Sequence, residues 1–219
     1  MSVGVFIWLV KSSKTEIKIV LATLAVLIIL PVFTVVVFAA SGVSLIGSAL
    51  ANLNPVTKVV ELFNPNGEKI AEIELTTNWP VQGYVTDEFG THENWRQKLG
   101  FGVHSGVDIA NRIGEPITPF MAGNIVYNDE NDDSSCGKSV MIQHEYNITS
   151  IYCHLDSTAA IPPTTVVEPG DVIGYLGNTG TSTGPHLHLT IRVYGILVNP
   201  RTFLTGNPES SWQVPLSNF

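Results

Sequence analysis

Basic charge is what this 219-residue chain has least of. Its 11 Lys and Arg stand against 19 Asp and Glu, for a formal net charge of −8. Phosphate backbones are bound by cationic surfaces, so nucleic acid is excluded as the expected partner. Cysteine is nearly absent too: Cys136 and Cys153 are the only two, which leaves metal chemistry to nitrogen and oxygen donors. Internal repeats and low-complexity tracts are missing, and so is any convincing amphipathic helix from Trp79 onward. In their place, Trp79 to Leu204 holds short apolar runs separated by Gly-, Pro- and Asp-rich turns, the pattern of β-structure. Strands are expected at Gly123–Tyr127, Ser139–Gln143, Thr149–His154, Val172–Tyr175 and His186–Val193. The expected fold class is mainly β, an antiparallel sheet domain with a groove.

Hydrophobic content, at 44%, is high for such a domain, and one segment accounts for the excess. Ile19–Ala40 is an uncharged, almost wholly apolar run of 22 residues, and ~20 suffice to cross a bilayer as a helix. Lys11, Lys14 and Lys18 precede it, and the next basic residue is Lys58. Positive-inside bias then puts the N-terminus in the cytoplasm and the rest outside. A buried core helix and a cleaved signal peptide are the competing readings. Val37-Phe38-Ala39 offers small residues for cleavage, but the run exceeds the usual ~7–15-residue apolar region of a signal. A retained single-pass anchor in the cell membrane is therefore expected, with the lipid bilayer as one partner. The chain divides into a cytoplasmic tail (1–18), a transmembrane helix (19–40), a stalk (41–78), a main domain (79–206) and a C-terminal tail (207–219). Within the stalk, apolar runs flank Asn64-Pro65-Asn66-Gly67, a hairpin signal.

The chemistry concentrates in Gly184-Pro185-His186-Leu187-His188-Leu189. Residues two apart on a strand share a face, so both imidazoles point into one groove while Leu187, Leu189 and Ile191 face the core. Two adjacent imidazoles suit a metal better than they suit packing. A second half-site lies at His104-Ser105-Gly106-Val107-Asp108. In a straight strand, His104 and Asp108 would stand ~13 Å apart, so the segment must bend, and Gly106 is the place for it. His104, Asp108 and His188 then form a two-histidine, one-carboxylate set fit for hydrolytic Zn²⁺. In Ile151-Tyr152-Cys153-His154-Leu155, alternation puts Tyr152 and His154 on one face. His154 suits general-base or oxyanion work there, although taken alone a structural histidine is the stronger reading. His92 and His144 lack motif context and are expected to be solvent-exposed. Asp129-Glu130-Asn131-Asp132-Asp133 is expected as a solvated acidic loop. An oxidising compartment permits a Cys136–Cys153 disulfide, but hairpin register about Tyr146 sets the two about three positions out of step.

These residues also carry a resemblance. His104-x-x-x-Asp108, then Tyr152-x-His154-Leu155, then Asn178–Pro185 leading into His186-x-His188, together resemble the lysostaphin-type (family M23) zinc metallopeptidases. The likeness spans roughly residues 79–204 and includes Gly114-Glu115-Pro116-Ile117, Glu168–Gly174 and Val198-Asn199-Pro200. It implies that His104, Asp108 and His188 hold one zinc ion per chain. It implies that His154 and His186 are catalytic, activating water and stabilising the tetrahedral intermediate. The function implied is endopeptidase cleavage of peptide bonds in bacterial peptidoglycan, whose peptides are the expected partners; protein partners are not specified. The alternatives are a non-catalytic wall-binding or regulatory module, or a wall-opening component of a secretion, conjugation or phage-entry machine. Two positions depart from the family's common pattern: Thr190 stands where an acidic residue is frequent, and Val103 where a polar or basic one is. The loop from Gly90 to Phe101, with His92, Trp95 and Arg96, is expected to shape substrate access.

Overall fold

Alternating burial runs through the strands of this protein and decides which side chains reach the site. The computed structural model describes residues 47–76, 78–92, 96, 98–100 and 102–208. The expected membrane helix at Ile19–Ala40 and the tail at 1–18 lie outside the described residues, as do Trp95, Phe101 and positions 209–219. Among the described residues no helix is long and apolar enough to cross a membrane.

The first strands are β1 (Ala51–Leu53), β2 (Val59–Phe63) and β3 (Lys69–Glu74). They form a three-stranded antiparallel sheet in which the turn at Asn64–Gly67 joins β2 to β3. Asn64 organises that turn, its side-chain oxygen accepting from the backbone N–H of Asn66 and of Glu68. Where the sequence suggests a stalk, Leu50, Ala51, Val60 and Leu62 lie buried in the same apolar cluster as the main sheet. The chain continues through β4 (Tyr84–Asp87), β5 (Val107–Ala110), β6 (Pro116–Ile117) and β7 (Gly123–Asp129). Next come β8 (Ser139–Gln143), β9 (Ile148–Cys153), β10 (Leu155–Thr158) and β11 (Val166–Val167). The last are β12 (Gly174–Leu176), β13 (His186–Val193) and β14 (Ile196–Val198).

The large sheet has the order β11-β7-β8-β9-β13-β5-β4, with β14 beside β13. All its strand pairs are antiparallel. A small sheet, β10-β12-β6, covers part of the core. Leu187, Leu189, Ile191 and Val193 of β13 are fully buried beside Val107 and Ile109 of β5. Each such side chain removed from water contributes roughly 1.5–3 kcal/mol, and a one-residue slip would turn the whole set outward. The burial that fixes the register thereby fixes the histidines on the opposite face.

One point left open by the sequence is answered, and one expectation needs correction. Cys136 and Cys153 are joined in a disulfide, with Cα atoms 4.9 Å apart. The β8–β9 ladder does pair Val140 with Tyr152, which leaves Cys136 three positions beyond the partner of Cys153. The offset is closed by a turn in which the Gly137 N–H donates to the Ser134 carbonyl, with Gly137 at φ 62°. His144, expected in solvent, is buried instead. Its Nδ1–H donates to the Ala122 carbonyl at 2.8 Å, so Nε2 must accept the Ser150 hydroxyl proton at 2.7 Å. Tyr152 then donates to Ser150 Oγ (3.2 Å) and accepts from the Phe120 N–H (3.1 Å). The chain of bonds satisfies every member. Burial pushes His144 down to about 4 and the Tyr152 phenol up to about 12. His92 is exposed, as expected, and Asp129–Asp133 lies at the surface.

Candidate metal centre

The site is built where β5 and β13 pair, because the ladder sets Asp108 directly opposite His188. Gly106 brings the rest of the half-site in. A Cβ there would lie 2.2 Å from the Leu189 carbonyl oxygen and 2.9 Å from the His188 ring. Close approach rather than a special φ makes glycine necessary. His104, just before β5, is held by backbone bonds to Thr91 and Gly90.

These positions bring three donor atoms together. His188 Nδ1 is 2.7 Å from Asp108 Oδ1, and His104 Nε2 is 3.0 Å from each of them. Tetrahedral zinc bonds of ~2.0–2.2 Å separate donors by roughly 3.3–3.5 Å, so an outward shift of a few tenths of an ångström accommodates the ion. The residues fit zinc in donor type as well as in spacing. Each imidazole has its far nitrogen committed. His104 Nδ1–H donates to the Glu88 carbonyl at 2.9 Å, leaving Nε2 as a lone-pair donor. His188 Nε2–H faces Thr190 Oγ1 at 3.0 Å and Ser105 Oγ at 3.3 Å, leaving Nδ1. Such outer partners fix tautomer and ring orientation at metal sites. Burial resists the Asp108 charge, but when His104 and His188 carry protons on their facing nitrogens, their hydrogen bonds and the charge of the neighbouring histidines outweigh it and hold the carboxyl below its ordinary range.

His186 and His154 flank this trio. His186 shares the groove face of β13, with Nε2 3.6 Å from Asp108 Oδ2 and Nδ1–H donating to the Gly184 carbonyl at 2.7 Å. His154 arrives by another route. On β9, Tyr152 pairs with Leu189 and faces the core, whereas Cys153 pairs with His188. Plain alternation would send His154 to the core beside Tyr152. Its backbone instead adopts φ 65°, a left-handed conformation that costs a non-glycine residue ~1–2 kcal/mol. That reversal breaks the alternation and swings the ring into the groove, 4.7 Å from the His186 ring centroid and 5.9 Å from that of His188. His154 Nδ1–H donates to the Thr179 carbonyl at 2.8 Å, so Nε2 is left to accept. Burial, reinforced by the His186 ring, pushes its pKa down to about 4.

The five residues line an open groove of about 510 Å³, which Arg96, Tyr127 and Arg192 also border. Several supporting groups escape sequence reasoning. The Glu88 carbonyl and the Thr179 carbonyl carry no side-chain signal. Glu88 itself is fixed by Arg201, whose Nη2 donates to Glu88 Oε1 at 2.8 Å while its guanidinium lies 4.7 Å over the Trp79 ring. Only Thr190 had a readable signal, its parity with His188 on β13.

A buried carboxylate and two histidines converging on one point, with two further histidines beside them on an antiparallel sheet, define a metallopeptidase-type site. Residues 102–200 match the model of Peptidase family M23, and this chain carries a domain of that family. It is 36% identical over 107 residues to the DD-carboxypeptidase/endopeptidase Mpg of Neisseria meningitidis, covering 49% of this chain and 24% of that protein. It is 34% identical over 129 residues to the murein hydrolase activator NlpD of Escherichia coli, covering 59% of this chain and 31% of that one. The chain thus spans about a quarter to a third of the length of these relatives. A zinc-containing peptidase from Vibrio cholerae shares the fold, with a TM-score of 0.51 at 24% identity over 68% of this chain and 47% of that one.

Proposed function

We propose that this chain is a zinc-dependent endopeptidase acting on the peptides of bacterial peptidoglycan. The observation that carries the reading is the convergence of His104 Nε2, Asp108 Oδ1 and His188 Nδ1 beside two histidines whose Nε2 atoms are open to the groove. Zinc held there would supply Lewis acidity toward the scissile carbonyl and toward water. The chain's own residues do the rest. The groove holds an extended peptide across the site. His154 and His186, each with Nδ1–H tied to a backbone carbonyl, present Nε2 as a proton acceptor. One takes the proton of the attacking water and the other, once protonated, donates to the developing oxyanion.

The substrate class is supported by two of the relatives, a DD-carboxypeptidase/endopeptidase and a murein hydrolase activator. The disulfide supports an oxidising compartment, and the apolar run at Ile19–Ala40 supports a membrane anchor with the domain outside the cytoplasm. The second of these relatives favours one other reading, a non-catalytic activator of another hydrolase. Digestion of defined muropeptides, read by mass spectrometry with bound zinc measured in parallel, separates the two. Wild type is expected to release new peptide ends, and His188→Ala to lose both zinc and cleavage. Zinc-loaded wild type that releases no ends but stimulates a second hydrolase would replace the endopeptidase reading with the activator one.

A further inference from the structure

Of the five residues of the site, His154 alone sits on a left-handed backbone, and the groups that hold it form a knot of three segments. The first segment is Ser135–Lys138, the second Cys153–Leu155, the third Thr179–Thr181. The His154 N–H donates to the Cys136 carbonyl at 2.8 Å, and the Leu155 N–H to the Lys138 carbonyl at 3.0 Å. Thr179 ties the third segment to both others. Its carbonyl accepts from the His154 ring, its hydroxyl donates to the Leu155 carbonyl at 2.7 Å, and that hydroxyl accepts from the Lys138 N–H at 3.1 Å. The Thr181 N–H donates to the Ser135 carbonyl at 2.9 Å, and the Gly180 N–H donates to Asp132. The contact between first and third segments leaves no room for a side chain. A Cβ at Gly137 would stand 2.5 Å from Gly180 N, and one at Gly180 would stand 2.5 Å from Gly137 N.

One covalent bond crosses this knot. The disulfide joins Cys136, whose carbonyl takes the His154 N–H, to Cys153, the residue immediately before the left-handed backbone. We propose that the Cys136–Cys153 disulfide is a positioning element for His154, holding the chain reversal that turns this ring out of the core direction and into the groove. The metal donors do not depend on it in the same way, since His104, Asp108 and His188 are placed by the β5–β13 ladder and the turn at Glu88–Thr91. Breaking the bond therefore releases the flanking histidine while leaving the donor trio assembled. The activity arm of the test rests on the endopeptidase reading; the spectroscopic arm does not.

The test uses the full chain, oxidised and after treatment with a phosphine reductant. The phosphine is oxidised to its oxide with the oxygen of a water molecule, while the two sulfurs take up two electrons from phosphorus and the two protons of that water. Mass spectrometry verifies the two thiols. Ring ¹⁵N spectra of His154 are expected to show one locked Nδ1–H tautomer when oxidised and tautomer averaging when reduced. Cleavage of a defined muropeptide is expected to lose at least tenfold in kcat with KM within twofold, bound zinc unchanged and kcat restored on reoxidation. Thr179→Val, which keeps the disulfide and removes the hydroxyl tie, should move the ring spectrum in the same direction by less. Unchanged ring spectra in the reduced protein would overturn the proposal, as would loss of zinc together with loss of activity. If the oxidised zinc protein cleaves nothing, the endopeptidase reading fails, and the ring spectra alone decide the positioning role.

Discussion

Strand β13 and the segment around His154 deliver histidines to the same groove by opposite means. On β13 the delivery is regular. His186 and His188 alternate with Leu187 and Leu189, and the apolar half, fully buried, holds the polar half in place. At Cys153–Leu155 the period breaks, and His154 reaches the groove through a left-handed backbone held by a disulfide, a loop carbonyl and a close glycine pair. Two of the three candidate metal donors, Asp108 and His188, thus ride on the rigid ladder and His104 on the turn that leads into it, while one flanking histidine rides on an irregularity that other groups must stabilise. Damage to the two regions should separate binding of the ion from turnover.

The sharpest way to break that division is His154→Ala. It should keep stoichiometric zinc and lose about 10²–10⁴-fold in kcat, measured on a defined muropeptide beside metal analysis. Zinc loss in this variant would show that the two regions are one unit. A smaller effect is expected at Thr190→Val, which removes the hydroxyl 3.0 Å from His188 Nε2. Loss of such an outer partner typically costs about 10–100-fold in metal affinity. Ser105 remains 3.3 Å away to take the same proton, so the lower end is expected. Competition against a chelator measures it, and Thr190→Ser should restore wild-type affinity.

The division was only half readable in the sequence, and the halves match it. A period of two, set by burial, announces itself in leucines and histidines, so the register of β13 and the convergence of His104, Asp108 and His188 followed from residue types. The hairpin at Asn64–Gly67 was readable for the same reason, since its turn chemistry is local. His154 was named from the family likeness, but strand alternation put it with Tyr152, on what proved to be the core face. No side-chain pattern encodes φ 65° at a histidine. The disulfide escaped likewise, because the ladder offset of three positions is cancelled by a backbone turn. His144 escaped because its partners, Ala122 and Ser150, lie on other strands or are small and silent.

A further effect concerns stability away from the groove. The folded chain holds His144 at about 4, whereas an unfolded histidine titrates near ~6.5. Between these values the unfolded chain binds a proton that the folded one refuses, so stability is full above pH ~6.5 and falls as pH drops toward 4. This residue alone contributes a loss on the order of 3 kcal/mol by pH 4. Urea unfolding across that range measures it, and His144→Gln should flatten the slope by its share. A slope indifferent to the substitution would mean that the buried ring takes up its proton without opening the fold.

Gly106 carries a consequence for how the centre is assembled. With the Leu189 carbonyl oxygen only 2.2 Å from where its methyl would be, the chain entering β5 and strand β13 touch backbone to backbone at that point. A larger residue there would have to part the two strands, and with them Asp108 from His188, its partner across the ladder. The meeting of carboxylate and imidazole thus hangs on the absence of a single methyl group.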